Sequence, residues 1–173
     1  MTIEEIFSGI SRHMVEGLMF HSQLSDYFYF LGLNGYGNFH YKRYLQASKS
    51  YKKVSKYYLS RYGKLVAEDG FTNPKVIPEA WHRYTREDVN MSTRKTSLAS
   101  GFEKWIKWER DTKDLYKNMY AETQTSDPAA AAFILDLVRD VDAELADAEQ
   151  QWLELKAMDY SMPDVIMMQG ELK

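Results

Sequence analysis

The chain has 173 residues, a length typical of one domain with a sizeable core, so residues 1–173 are predicted to form a single domain. Cysteine is absent, which excludes disulfides and thiolate metal sites, and a net charge of −3 gives no overall attraction to nucleic acid. No apolar run reaches the roughly 18 residues of a membrane span. The residues near the N-terminus are acidic where a secretory signal would be basic, so we expect a cytoplasmic protein without a membrane segment.

Residues 2–32 are predicted to form the first helix. Thr2, followed three residues later by Glu5, matches a capping box. Apolar residues then repeat every three or four positions, as on the buried face of a helix. His13 belongs to this face, and Glu16 lies beside it, one turn further on. The segment 33–38, LNGYGN, is predicted to be a tight turn, because Asn and Gly tolerate left-handed backbone.

The second helix is predicted from about residue 39 to 67, because the stretch 40–66 contains no proline and no glycine before Gly63. Hydroxyl-bearing residues recur at spacings of four and three and share one face: Tyr44, Ser48, Tyr51, Ser55, Tyr58 and Tyr62. We expect this face to point inward, where each buried hydroxyl needs a hydrogen-bond partner.

The helical period fails between residues 68 and 90, where Gly70, Pro74 and Pro78 predict a long connection with a short helix at 78–88. A third helix is predicted from about Ser92, and Glu109 lies in the middle of its otherwise mostly apolar face. The sequence SDP at 126–128 ends that helix and begins a fourth, and Pro163 begins a short tail helix. The predicted fold is all-α: an antiparallel four-helix bundle with one long crossover and a short C-terminal tail helix.

This connectivity is that of the ferritin-like superfamily, and the chain resembles the ferritin and Dps branch of it over nearly its full length. The run KWERDTKDLYKNMYAETQTSDPAAAAFILDLV, residues 107–138, is similar to the family's third-helix glutamate followed by an Asp-Pro turn and an aromatic-led fourth helix. The segment LNGYGNF resembles the tight first turn of Dps proteins. The resemblance implies a homo-oligomer, and cage-forming relatives use the second helix to help line their cavity.

A diiron centre of this family takes one glutamate from the first helix, Glu-x-x-His from the second and one glutamate from the third. Glu16 and Glu109 match the first and last of these, but the second-helix pair falls on Tyr51 and Val54, which cannot replace a carboxylate and an imidazole. The Dps-type site, which lies across a dimer interface, also lacks its ligands here. The resemblance therefore implies a bundle that has lost its diiron centre and acts in a binding or structural role.

The alternative is residual iron or manganese binding with weak ferroxidase activity. Its ligands would be Glu16, Glu109 and Asp142 of the fourth helix, together with His13, because carboxylate and imidazole donors suit these cations. Hydrogen bonds from tyrosines and serines to a buried Glu109 would explain the same residue without a metal. We expect His21, His40 and His82 to be surface or capping residues.

The second helix is also unusually basic, with eight Lys or Arg and no acid between residues 40 and 66. The fourth helix carries the opposite charge, with acids at 136, 140, 142, 144, 147, 149 and 154. These two faces are expected to pair with each other or with a neighbouring subunit. The alternative function is nucleic-acid binding through the basic helix.

Overall fold

The structure is a computed structural model, and it describes residues 1–67 and 70–172. Five α-helices and no strand are found in these residues. In chain order the helices are α1 (Ile3–Phe30), α2 (Asn34–Tyr62), α3 (Met91–Thr123), α4 (Pro128–Ala157) and α5 (Met162–Glu171). The predicted all-α bundle with a short C-terminal helix is confirmed.

The predicted capping box begins α1. Thr2 Oγ1 accepts a hydrogen bond from the Glu5 backbone N–H at 3.2 Å, and the Glu5 carboxylate accepts one from the Thr2 backbone N–H at 2.7 Å. The start of α4 is also as predicted, because the Asp127 carboxylate caps the helix by accepting from the Ala130 N–H at 3.0 Å, with Pro128 in the first turn.

The predicted turn at 33–38 is wrong, since α2 already begins at Asn34. The chain reverses at 31–33, where Gly32 has a φ of +75°. Gly35 and Gly37 instead permit close packing: a Cβ at Gly35 would lie 2.5 Å from the Gln169 carbonyl oxygen, and one at Gly37 would lie 2.7 Å from the Tyr29 ring. These glycines are therefore explained by tertiary contacts.

The other end of α2 was predicted one turn too far along the chain. The helix ends at Tyr62, because Gly63 takes the left-handed conformation at φ +66° and its N–H bonds to the Leu59 carbonyl. Residues 68 and 69 of the predicted crossover lie outside the described residues.

From residue 70 onward, the crossover runs alongside α1. The Gln23 side chain accepts a hydrogen bond from the Val76 N–H and donates one to the Asn73 side chain. The short helix predicted at 78–88 is instead two 3-10 turns, Glu79–Arg83 and Arg86–Asp88. Buried Val76 and Val89 anchor the two ends of this segment.

The helices pair as two hairpins, α1 with α2 and α3 with α4, and their interior contains two separate apolar clusters. One cluster lies at the end of the bundle where α1 turns into α2, and it includes Phe28, Tyr36 and Phe102. The other lies at the opposite end and includes Ile10 and Tyr58. The stretch between them is polar. No helix in the described part of the chain has the length and apolarity needed to cross a membrane.

The inward face predicted for α2 is wrong by about one position. Of the predicted tyrosines and serines only Tyr58 is buried, and Ser48 is exposed. Residues on the adjacent face point inward instead and follow the same four-three spacing: Tyr36, His40, Arg43, Ala47, Ser50, Val54 and Tyr58. Between Tyr41 and Lys53 the helix has no fully buried residue.

Candidate functional site

A cavity of about 90 Å³ lies at the centre of the bundle, between the two apolar clusters. All four long helices contribute to its wall. Its polar lining includes His13 and His21 from α1, Arg43, Gln46 and Ser50 from α2, Glu109, Thr112 and Tyr116 from α3, and Asp140 and Glu144 from α4.

Glu109 is the most deeply buried acid of this cavity, with 2% of its surface exposed. Its carboxyl accepts a hydrogen bond from Trp105 Nε1 at 3.0 Å. Burial, and then the charge of Glu144, raise the pKa of Glu109 to about 8, although the Trp105 hydrogen bond and Arg43 oppose this rise. Glu109 therefore holds its proton at pH 7.

His21 and His40 form a buried pair next to Glu109, so the prediction that they are surface or capping residues is wrong. Their Nδ1 atoms are 3.3 Å apart, with one ring donating to the other, and His21 Nε2 lies 3.7 Å from Glu109 Oε1. Burial lowers the pKa of His21 to about 3 and that of His40 well below its usual value. The His21–Glu109 contact therefore joins two neutral groups at pH 7. His82 is exposed, as expected.

Arg43 brings a fixed positive charge into the cavity. One guanidinium nitrogen lies 2.6 Å from Glu144 Oε1, another lies 3.6 Å from Asp147 Oδ2, and the group stacks over the Phe39 ring at 5.1 Å. Burial raises the pKa of Glu144, while Arg43 lowers it. This ion pair joins α2 to α4 across the bundle.

His13 is fixed against α3. Thr112 Oγ1 donates to the Trp108 carbonyl at 2.8 Å, so His13 Nε2, at 2.7 Å from Thr112 Oγ1, is the protonated nitrogen that donates to it. The His13 ring stacks on Trp108 at 4.6 Å. Burial lowers the pKa of His13, and the nearby Glu16 opposes this. His13 is thus neutral and already hydrogen-bonded.

The four predicted metal ligands do not converge on one point. His13 and Glu109 line the cavity. Glu16 lies 3.7 Å from His13 Nδ1, but its carboxylate accepts a hydrogen bond from the Thr72 N–H of the crossover at 2.8 Å. Asp142 is exposed and forms an ion pair with Lys113 on the outer surface. Within residues 1–67 and 70–172, no group of three or more His, Asp or Glu is placed to hold a metal ion.

The residues present do not fit a dinuclear iron centre. Such a centre needs several ionised carboxylates and an imidazole around two cations. Here the cavity holds one protonated carboxyl, Glu109, and a guanidinium bound to the facing carboxylate, Glu144. The inward positions of α2 in this stretch are Ala47 and Ser50, neither of which could bridge two metal ions.

Sequence reasoning singled out His13, Glu16 and Glu109 but missed Arg43, Glu144 and the two histidines. The sequence did contain a signal for Glu144, because it is one of the acids of α4 that were expected to pair with the basic α2. His21 and His40 each follow a phenylalanine, but helical spacing alone did not place them inside.

No protein-family model matches this sequence, and no curated protein matches it. The structure is similar to that of an open-pore ferritin from the hyperthermophilic archaeon Archaeoglobus fulgidus, with a TM-score of 0.79 and 15% identity over 98% of this chain and 94% of that chain. A humanized archaeal ferritin gives a TM-score of 0.75 and 17% identity, covering 99% of this chain and 97% of that one. A closed form of the Archaeoglobus fulgidus ferritin, engineered by site-directed mutagenesis, gives 0.80 and 15%, covering 99% and 96%. This chain therefore has the ferritin-like fold.

Proposed function

We propose that this protein is a homo-oligomeric binding or structural protein of ferritin-like fold that has lost the diiron centre. The bundle centre is held by an internal ion pair and a protonated carboxyl in place of metal ions. The observation that carries this proposal is the position of Arg43, whose guanidinium lies in the central cavity 2.6 Å from Glu144.

The charge of Arg43 opposes the binding of a second cation in the same cavity. A divalent ion in the cavity would have to compete with this guanidinium for the Glu144 carboxylate, which is already engaged at 2.6 Å. Glu109 adds little attraction, because it is protonated at neutral pH and must first lose its proton to bind a metal ion.

The test is anaerobic titration of the full chain with ferrous or manganous ion, followed by aerobic iron oxidation monitored by absorbance. We expect no saturable binding at micromolar metal and an oxidation rate equal to that of buffer. The Glu109→Gln variant is the matched control, because it removes the central carboxyl while leaving every surface carboxylate in place. Uptake of one or two ions per chain that disappears in Glu109→Gln would refute the proposal.

The alternative is residual iron or manganese binding with weak ferroxidase activity, using His13, Glu16, Glu109 and Asp142. Its support is that His13 and Glu109 line the same cavity. It requires Asp142 to leave Lys113, Glu16 to leave the crossover and Arg43 to move aside. The same titration separates the two functions, since only the alternative gives stoichiometric uptake that depends on Glu109.

Assembly into a homo-oligomer is the second part of the proposal. Its support is the similarity to ferritins. Size-exclusion chromatography with light scattering tests it. We expect a mass of at least twice 20.3 kDa. A monomer at every concentration across about two orders of magnitude, from roughly 1 to 100 μM, would contradict it.

A further inference from the structure

The exposed lysines of α2 do not pair with the acids of α4 within the described part of the chain, which is one of the two pairings expected from the sequence. The two arginines do pair with α4 and its cap: Arg43 with Glu144 and Asp147, and Arg61 with Asp127. None of the exposed lysines in the middle of α2 has a carboxylate partner within 4.0 Å among the described residues. These lysines are Lys42, Lys49, Lys52, Lys53 and Lys56.

Several acids of α4 are already engaged elsewhere, so they do not neutralise this face. Asp142 pairs with Lys113 and Glu149 pairs with Arg110, both on α3, and Asp136 pairs with Arg139 on α4 itself. Helix α2 contains no acid along its own length. The lysine face is therefore a local excess of positive charge on a chain whose net charge is −3.

Four of these lysines line one groove, which we call the lysine groove. It has a volume of about 740 Å³ and is lined by Ser48, Lys49, Lys52, Lys53, Lys56, Tyr57, Ser60 and Phe133. Tyr57 and Phe133 stack against each other, with their ring centroids 4.0 Å apart and 13° between their planes. The Lys53 ammonium lies 5.7 Å from the centre of the Phe133 ring. The groove thus combines ammonium groups, two hydroxyls and an aromatic pair, without an acid.

We propose that the lysine groove binds single-stranded nucleic acid, with the lysines on the phosphates and the Tyr57–Phe133 pair against a base or sugar. Lys49 and Lys56 are two helical turns apart, about 10.5 Å along the axis, so the lysines form a row that can follow the backbone of an extended strand. A basic groove with aromatic side chains is the general arrangement for single-strand binding. A duplex keeps its bases stacked inside, so its phosphates could reach the lysines but its bases could not stack on the Tyr57–Phe133 pair.

The test is fluorescence anisotropy of a labelled single-stranded 20-nucleotide oligomer with the full chain at several salt concentrations. If all four lysines contact phosphates, the affinity is expected to fall roughly 50-fold between 50 and 200 mM salt. In the double variant Lys49→Gln/Lys56→Gln, this dependence should drop to roughly 7-fold, with weaker binding at 50 mM. The matched control is Lys75→Gln/Lys117→Gln, which removes the same charge from exposed lysines outside the groove.

The aromatic pair gives a second readout. Phe133→Leu should weaken binding of the oligomer but leave competition by inorganic polyphosphate unchanged, with thermal melting confirming that the variant is folded. No binding at 50 mM salt, or equal losses in the groove and control double variants, would overturn the proposal. So would a Phe133→Leu variant that binds the oligomer like wild type, because the groove would then be a general polyanion site.

Discussion

The protonated state of Glu109 gives a quantitative prediction for protein stability. Its pKa is near 4.5 in an exposed setting and about 8 in the folded chain, because burial and Glu144 disfavour the ionised form. Between these two values the native state holds one proton that the unfolded state has lost. The free energy of unfolding contributed by this group is fully present below pH 4.5 and is lost as pH rises to 8, with a limiting slope of about 1.4 kcal/mol per pH unit.

Replacing Glu109 by Gln removes this dependence. The amide oxygen can still accept the Trp105 Nε1 hydrogen bond, so the variant mimics the protonated acid. The two proteins should have similar free energies of unfolding near pH 5. Glu109→Gln should then gain about 3 kcal/mol over wild type by pH 7.5, slightly less than the limiting slope applied over two and a half pH units because the slope is shallower near each of the two pKa values.

The assay is urea unfolding monitored by tryptophan fluorescence at fixed protein concentration, at half-unit steps between pH 5 and 7.5. Taking the difference between variant and wild type cancels the titration of the groups that do not interact with Glu109. The control is Glu103→Gln, which makes the same substitution at an exposed position of the same helix; the gain should be specific to the buried Glu109. A flat difference for Glu109→Gln would mean that Glu109 is ionised in the native state at neutral pH, and our account of the cavity would be wrong.

Three further predictions concern stability. Gly101→Ala should destabilise by about 1–3 kcal/mol, since a Cβ would lie 2.9 Å from the Phe28 ring, and an unchanged melting temperature would show that the ring yields freely. The buried histidines His21 and His40 both have lowered pKa values, so they reduce the free energy of unfolding as pH falls below about 6.5. Replacing both by Leu should make the fall in this free energy with acid shallower in urea titrations. An equally steep fall in the double variant would contradict their neutral state. Asp127→Ala removes the α4 cap together with the Arg61 ion pair and the Tyr62 hydrogen bond, so it should cost about 2 kcal/mol or more; Asp127→Asn, which keeps a capping oxygen but not the charge, should recover only the share of the cap, about 1 kcal/mol, in thermal melts.

The bundle could be predicted from local sequence because its main signals are local. The capping box at Thr2, the Asp127 cap and the three-four apolar spacing of α1, α3 and α4 each depend on residues a few positions apart. The register of α2 could not be predicted in the same way. Its tyrosines repeat with a helical period, but the helix buries little of its middle, so hydroxyl-bearing side chains on its flank were mistaken for its inner face.

The candidate site, too, was predictable only where its signal lay within a few neighbouring residues. Glu109 was identifiable because one acid in an apolar helical face is unusual. The Arg43–Glu144 pair joins residues 101 positions apart, and its formation depends on the relative rotation of α2 and α4. That rotation is set by packing along the whole bundle, including the close approach at Gly37, and no local pattern encodes it.

We propose that a guanidinium and a protonated carboxyl take the place of metal ions at the centre of the bundle. The most direct measurement is anomalous diffraction at the iron absorption edge from crystals grown with excess ferrous salt. We expect no anomalous peak within the cavity bounded by His13, Arg43 and Glu109, with Arg43 still bound to Glu144. A pair of iron peaks there, with Arg43 displaced, would contradict it.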